Sequence, residues 1–327
     1  MTRVLVTGAG GPAGVAVIRS LLRRADLEVF AADMDGWASG LYLVPADRRR
    51  VVHPAVAEGF VDGVRELVAS DGIDIVVATV DAELRPLASR RAELGAVLAA
   101  PSLDTLETCL DKWMLAQRCE GRVRVPTTAL LTAESIARDW DFPVIVKPRS
   151  GAGSRGVRLV SNRQELVAIG ADESLIVQEN LPGEEFSVDV FAAPDGHVVA
   201  AVPRSRARVD SGVSIAGYTV HSSELESTAA AVAEAIGLVG VANVQLRYDT
   251  AGVAALLEVN PRFPGALPLT IAAGVDMPSL AIDLALGLPL PEHLDFRELA
   301  NVRYLEDVFL DRSDVLRSDH ASMGADA

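Results

Sequence analysis

The first hundred residues alternate short apolar runs with amphipathic stretches, and this alternation constrains the fold more than any other feature of the chain. Arg3-Val4-Leu5-Val6-Thr7 is an apolar run, and Gly8-Ala9-Gly10-Gly11-Pro12-Ala13-Gly14 leads from it into a helical pattern at Val15, Ile18, Leu21 and Leu22. Further strands are expected at 28–32, ending in Asp33, near Val51 and Val52, and over 73–80, with helices at 57–69 and 83–93 between them. Strands and helices of these lengths in strict alternation imply a parallel sheet covered on both faces, a Rossmann-like domain over residues 1–101.

Around Ala100-Pro101-Ser102 the pattern changes. Ser102 is placed to cap a helix running through Trp113, Leu115 and Ala116, and an extended segment starts at Val125. Strands then follow more closely, at 144–147, 157–160, 175–178, 186–191, 197–202, 241–247 and 253–259, with hairpin signals at Pro194-Asp195-Gly196 and Asp249-Thr250-Ala251-Gly252. Covering helices are expected at 224–237 and 278–287. The fold class is therefore α/β, with a Rossmann-like domain followed by an α+β domain over 102–292 and a polar, acidic tail over 293–327.

The 327 residues carry 45 acidic and 30 basic side chains, a formal charge of −15, which argues against nucleic acid or an anionic membrane as a partner. Small molecules are the expected partners. Two cysteines, Cys109 and Cys119, cannot build a disulfide framework, and no apolar run reaches membrane-spanning length, so a cytoplasmic location is expected. Among the 30 basic residues only Lys112 and Lys147 are lysine; in such an arginine-biased chain a retained lysine points to a need for a compact ammonium.

Two glycine loops invite ligand readings. The first, with Asp33 about 20 residues beyond it, fits either a dinucleotide site or a structural turn, and its GxGxxxG spacing departs from the dinucleotide pattern. Thr79, Asp81 and Glu83 would face the same crevice or cap the following helix. In the second, Val144-Ile145-Val146-Lys147 runs into Pro148-Arg149-Ser150-Gly151-Ala152-Gly153-Ser154-Arg155-Gly156 and returns as Val157-Arg158-Leu159-Val160. Such a hairpin can close over phosphates with backbone N–H groups while Lys147 neutralises charge; a solvated hairpin tip is the plainer reading. After Gln178, the linker Glu179-Asn180-Leu181-Pro182-Gly183-Glu184-Glu185 could pair with a purine edge and ribose hydroxyls, or be a solvated loop.

The densest cluster is Asn243-Val244-Gln245 with Leu257-Glu258-Val259-Asn260-Pro261-Arg262. Period-two geometry puts Glu258 and Asn260 on one strand face, and a hairpin brings Gln245 beside them. These hard oxygen donors suit Mg²⁺, with Arg262 directed at the same phosphates; an ordinary buried ion pair at Glu258 is the alternative. Arg204, Arg206 and Arg208 alternate along an expected strand, either gathering a substrate carboxylate or lining a solvated edge.

Taken in order, five stretches resemble the ATP-grasp superfamily, specifically single-copy proteins similar to half of the carbamoyl phosphate synthase large subunit. They are the glycine turn of a preATP-grasp domain, Asp111-Lys112, VKPRSGAGSRGV, QENLPGEEFSVDV, and NVQ with LEVNPRF, spread over residues 1 to about 290. The resemblance implies an ATP-grasp domain over 102–292, with a nucleotide-covering subdomain at about 120–180 and a metal-binding subdomain at about 181–292. It implies that Lys112 and Lys147 hold ATP phosphates and that Ser150, Gly151, Gly153, Ser154 and Gly156 cover them. Glu179 and Asn180 would lie along adenine, and Glu185 would bind ribose. Gln245, Glu258 and Asn260 would hold one or two Mg²⁺, with Mn²⁺ an acceptable substitute, and Lys147 and Arg262 would act on the transferring phosphoryl group. Where many relatives carry an acid, position 245 is an amide.

The activity so implied is ATP-dependent ligation of a carboxylic acid to an amine through an acyl phosphate, by an enzyme compatible with a homodimer. Phosphorylation of bicarbonate or carbamate is the neighbouring alternative. An NAD(P)-dependent oxidoreductase using the first glycine loop, and a nucleotide-binding regulator without turnover, are alternatives from other classes.

Overall fold

The computed structural model describes residues 1–151, 155–210 and 213–317. The first domain forms as its alternation requires: β1 (Thr2–Thr7), α1 (Pro12–Leu21), β2 (Leu27–Asp33), β3 (Arg49–Val51), α2 (Phe60–Asp71), β4 (Ile75–Ala78), α3 (Asp81–Ser89) and β5 (Val97–Leu98). Its five strands are all parallel, in the order β3-β2-β1-β4-β5. The glycine turn after β1 is explained by packing. Gly8 has φ +66°, and a Cβ there would come within 2.4 Å of Val80; a Cβ on Gly14 would sit 2.2 Å from the Gly8 carbonyl oxygen.

The single helix expected after Ser102 is two helices, α4 (Leu103–Leu110) and α5 (Lys112–Cys119). Asp111 breaks it. Its backbone is extended (φ −117°, ψ 109°), and its carboxylate accepts the N–H groups of Trp113 and Met114, so it caps a new helix.

Next come β6 (Thr128–Leu131), α6 (Ala133–Ala137), β7 (Val144–Pro148), β8 (Arg158–Val160), α7 (Arg163–Ile169) and β9 (Asp172–Glu179), whose strands form an antiparallel sheet ordered β6-β9-β7-β8. Helices α6 and α7 have no counterpart in the sequence reading. Both are short and depend on caps: Thr132 and Ser135 form a reciprocal capping box, and Asn162 accepts the Glu165 N–H.

The remainder comprises β10 (Glu185–Ala192), β11 (Val198–Ser205), β12 (Arg208–Asp210), β13 (Val213–Tyr218), α8 (Ser223–Ala235), β14 (Gly240–Tyr248), β15 (Ala254–Asn260), α9 (Leu267–Ala273), α10 (Met277–Ala285) and β16 (Ala300–Val302). Four of these strands make an antiparallel sheet ordered β11-β10-β14-β15, and three make a small sheet ordered β12-β13-β16. The small sheet is not anticipated by the sequence. It recruits residues 300–302 from the segment set apart as a tail, and Leu294 and Arg297 of that segment donate backbone hydrogen bonds to Val199 and Ala273. No single helix among the described residues is long and apolar enough to cross a membrane.

The core shows which parts share an interior. One cluster runs from Val4, Val6 and Ile18 of the first domain to Phe191, Val199, Leu267 and Ile282 of the C-terminal half, so these two parts share a hydrophobic interior. The β6–β9 sheet has its own core of Leu131, Trp140, Val144, Val146, Val160, Leu166 and Val177. A cleft therefore forms where this smaller body meets the larger one.

In the first domain Glu83 is buried beside the Thr7 hydroxyl, which donates to it at 2.7 Å, and Thr79 ties the same corner by donating to the Thr7 carbonyl at 2.8 Å. Burial, reinforced by the nearby Asp33 charge and opposed by the Thr7 bond, pushes the Glu83 carboxyl up from 4.5 to about 7. The native state thus holds a proton that the unfolded chain releases above pH 4.5. Stability from this group is full below that pH and is lost as pH rises through about 7. Urea unfolding at pH 5 and pH 8 should show wild-type protein losing of order 3 kcal/mol more than Glu83→Gln over this interval. Parallel pH profiles of the two proteins would exclude this role.

Candidate active site

The cleft contains two cavities that share a wall. The first, about 210 Å³, lies between the β6–β9 sheet and the β14–β15 hairpin. Of the residues singled out from the sequence it gathers Lys112, Lys147, Ser150, Gly151, Glu179, Asn180, Glu185, Gln245 and Glu258. The second, about 260 Å³, opens between the first domain and the C-terminal half; it gathers Asn260 and Arg262 and shares Arg206, Gln245 and Glu258 with the first. Gly156 stands aside at φ +74°, where a Cβ would press on Pro148 at 3.1 Å. Gly153 and Ser154 lie outside the described residues.

Lys147 projects from the central strand β7 and is 7% exposed. Burial lowers its pKa to about 8; the Glu258 carboxylate counteracts this and the Lys112 ammonium adds to it. An ammonium so poorly solvated is short of counter-charge, which an anionic ligand would supply. Lys112 reaches the same cavity because Asp111 breaks the helix: its N–H donates to the Arg149 carbonyl at 2.9 Å, and Asp111 pairs with the Arg149 guanidinium at 2.6 Å. The Lys112 Nζ donates to the Gly151 carbonyl at 2.8 Å and lies 3.7 Å from the Glu258 carboxylate. Both lysines thus converge on one acid.

The β14–β15 pairing places Gln245 opposite Glu258 and Asn243 opposite Asn260, with a register shift just after Gln245. Glu258 and Asn260 share a face, as period two requires, and the Asn260 amide lies 3.5 Å from the Glu258 carboxylate. One carboxylate and two amide oxygens line the second cavity, Glu258 and Gln245 lining the first as well, and together they form a hard donor set that fits Mg²⁺. Among the described residues no group of three or more His, Cys, Asp or Glu side chains could hold a metal.

Several side chains have partners that no local pattern announces. Arg262 grips Asp81 of the first domain with Nε and Nη2, each 2.8 Å from a carboxylate oxygen. The Glu179 carboxylate is held by Arg124 at 2.5 Å and by the Thr127 N–H at 2.9 Å, and Arg124 also binds Asp249. Glu185 lies 3.1 Å from Arg206. The three alternating arginines do not share one strand: Arg204 lies in β11, in a bidentate pair with Asp189, Arg206 falls between the strands, and Arg208 belongs to β12. Asp189 also accepts from Asn243 at 2.7 Å and from the Thr270 hydroxyl. Sequence reasoning passed over Arg124 and Asp189. Asp189 carries a signal, a lone acid inside the apolar strand Phe186-Ser187-Val188-Asp189-Val190-Phe191; Arg124 carries none.

Comparison with known proteins places this cleft in a familiar setting. Residues 171–308 match the profile of "ATP-grasp in the biosynthetic pathway with Ter operon", and residues 115–180 match the ATP-binding domain of the carbamoyl phosphate synthase L chain. The carbamoyl phosphate synthase large chain of Clostridium acetobutylicum is 22% identical over 256 residues, 71% of this chain. The chain spans about a quarter of that relative's length, 24%. Among solved structures, biotin carboxylase from Campylobacter jejuni in its β,γ-ATP complex superimposes with a TM-score of 0.75 at 18% identity, covering 88% of this chain and 72% of that one. The L-amino acid ligase from Bacillus licheniformis gives 0.69 at 18% identity, with 87% and 74% covered. Two overlapping profiles, an ATP-grasp profile and a carbamoyl phosphate synthase ATP-binding profile, are thus matched over residues 115–308, and the chain is similar in sequence to the carbamoyl phosphate synthase large chain.

Proposed function

We propose that the protein is an ATP-dependent carboxylate–amine ligase that forms an amide through an acyl phosphate. The observation that carries this reading is the shared wall of the two cavities: Gln245 and Glu258 line both, with Lys147 on one side and Arg262 on the other. A phosphoryl group passing between a nucleotide in the first cavity and an acid in the second would cross at that wall.

In this reading Lys147 and Lys112 hold the nucleotide phosphates, the segment at Ser150 and Gly151 lies over them, and Asn180 and Glu185 border the nucleoside. Gln245, Glu258 and Asn260 hold Mg²⁺, which when bound offsets charge on the phosphate oxygens. Arg262 orients the acid and its phosphorylated form. The walls exclude water that would otherwise hydrolyse the intermediate, and the amine attacks the activated carbonyl carbon with release of phosphate. A second reading, phosphorylation of bicarbonate or carbamate, draws support from the sequence likeness to carbamoyl phosphate synthase.

Hydroxylamine in place of the amine tests the intermediate. With ATP, Mg²⁺ and the correct acid from a panel, it should give a hydroxamate and an equal amount of ADP. Hydroxamate absent across the panel, with ADP release that depends only on bicarbonate, would favour the second reading.

The lowered Lys147 pKa predicts a pH dependence. Below pH 8 the ammonium is charged and binds phosphate; above it the group is neutral. The KM for ATP should therefore rise between pH 7 and pH 9 by up to about tenfold in wild type and stay level in Lys147→Arg, whose charge persists. Identical profiles would remove Lys147 from phosphate binding.

Glu258→Gln and Asn260→Ala should each lose at least about 100-fold in turnover while keeping the fold, because phosphoryl transfer depends on charge compensation at this strand face. Near-normal turnover in both at saturating Mg²⁺ would refute the metal assignment.

A further inference from the structure

The partner of Arg262 raises a question for any acid bound in the second cavity. A guanidinium has five N–H donors, and the edge formed by Nε and Nη2 is the one that grips a carboxylate in two places. Asp81 already occupies that edge, with both contacts at 2.8 Å. Nη2 also lies 3.4 Å from the Asn260 side-chain oxygen, and Nη1 donates to the Phe263 carbonyl at 3.2 Å. One Nη1–H remains for a ligand, and the positive charge is already matched.

The other arginines of this cavity differ. Arg204 is 2% exposed and its partner Asp189 fully buried, so that pair belongs to the interior. Arg206, just past the end of β11, meets Glu185 at the start of the adjacent β10 by a 3.1 Å contact within the C-terminal half. Among the described residues only the Asp81–Arg262 pair joins the first domain to the C-terminal half across the cavity, and its side chains are 22% and 20% exposed. Asp81 is also the one acid among the described residues that the first domain contributes to the cavity wall. A part-exposed pair of this kind is weak enough to exchange partners.

We propose that Asp81 is a positioning residue that acts through Arg262: its carboxylate occupies the gripping edge of the guanidinium and yields it to the incoming anion, the acid substrate or its phosphorylated form. The identity of that anion rests on the ligase reading. The exchange itself rests on the geometry alone. Asp81 keeps the guanidinium aligned and charge-matched before substrate arrives, and makes binding of a bare anion compete with an internal carboxylate. Acid affinity is thereby set partly by a residue of the first domain.

Inorganic phosphate is a probe that needs no turnover. Calorimetry should show Asp81→Asn and Asp81→Ala each binding phosphate at least about fivefold more tightly than wild type, because the internal competitor is gone. Adding Arg262→Ala to Asp81→Asn should cancel the gain, which separates this site from the lysines of the first cavity. A merely structural Asp81 would give the opposite sign, since loosening the cavity weakens binding. Equal or weaker phosphate binding in both single variants, or a gain that survives loss of Arg262, would overturn the proposal. Failure of wild-type protein to form any hydroxamate would instead overturn the ligase reading and leave the phosphate result standing.

Discussion

A single buried carboxylate organises the wall of the second cavity. Asp189 is completely enclosed, and a bare charge there would be prohibitively costly, yet it accepts two hydrogen bonds from Arg204, one from Asn243 and one from Thr270. Those donors come from β11, β14 and α9, so one side chain on β10 ties four elements together. Removing either ion-pair partner would strand a buried charge, typically at a cost of about 3–5 kcal/mol. Arg204 and Asn243 are also part of the second cavity wall. Their orientation is therefore set from beneath, by the interior, rather than by whatever enters the cavity.

The same logic extends to the architecture of the cleft. The first domain and the C-terminal half share one apolar core, whereas the β6–β9 sheet packs around its own. Polar groups concentrate where these bodies meet. Arg124 joins Glu179 of the β6–β9 sheet to Asp249 in the β14–β15 turn, and Lys112 touches both Gly151 and Glu258. Arg262 reaches back to Asp81. The contacts of Arg124 and Lys112 cross between the β6–β9 body and the larger one, that of Arg262 joins the two parts of the larger one, and each lies at or beside a cavity, so the surfaces that hold the parts together also shape what can bind between them.

Much of this was legible in the chain. The parallel first domain follows from its alternating periods, and the common face of Glu258 and Asn260 follows from the two-residue repeat of a strand. The Asp249–Gly252 turn brought Gln245 opposite Glu258 as its residues implied. Other features were hidden for definable reasons. The helix after Ser102 reads as continuous because both halves keep an apolar face, and only a backbone turn at Asp111, rewarded by its own capping bonds and by Arg149, divides it. The β12-β13-β16 sheet is short, and its third strand comes from far along the chain, as the pairing of Ala216 with Val302 shows.

What the sequence by itself determined were properties encoded within a few residues: which segments are strands or helices, where caps and turns fall, and which side chains share a face. Those rest on steric preference and periodicity, which act locally. Only the tertiary structure decided which acid each arginine meets. With so many arginines and more acids still, local pattern leaves the pairings open; proximity in space settles them, as with Arg262 and Asp81, 181 positions apart, or Arg124 and Glu179, 55 apart. Ion pairing is a short-range interaction between groups brought together by packing, so it emerges from the assembled core and cannot be read along the chain.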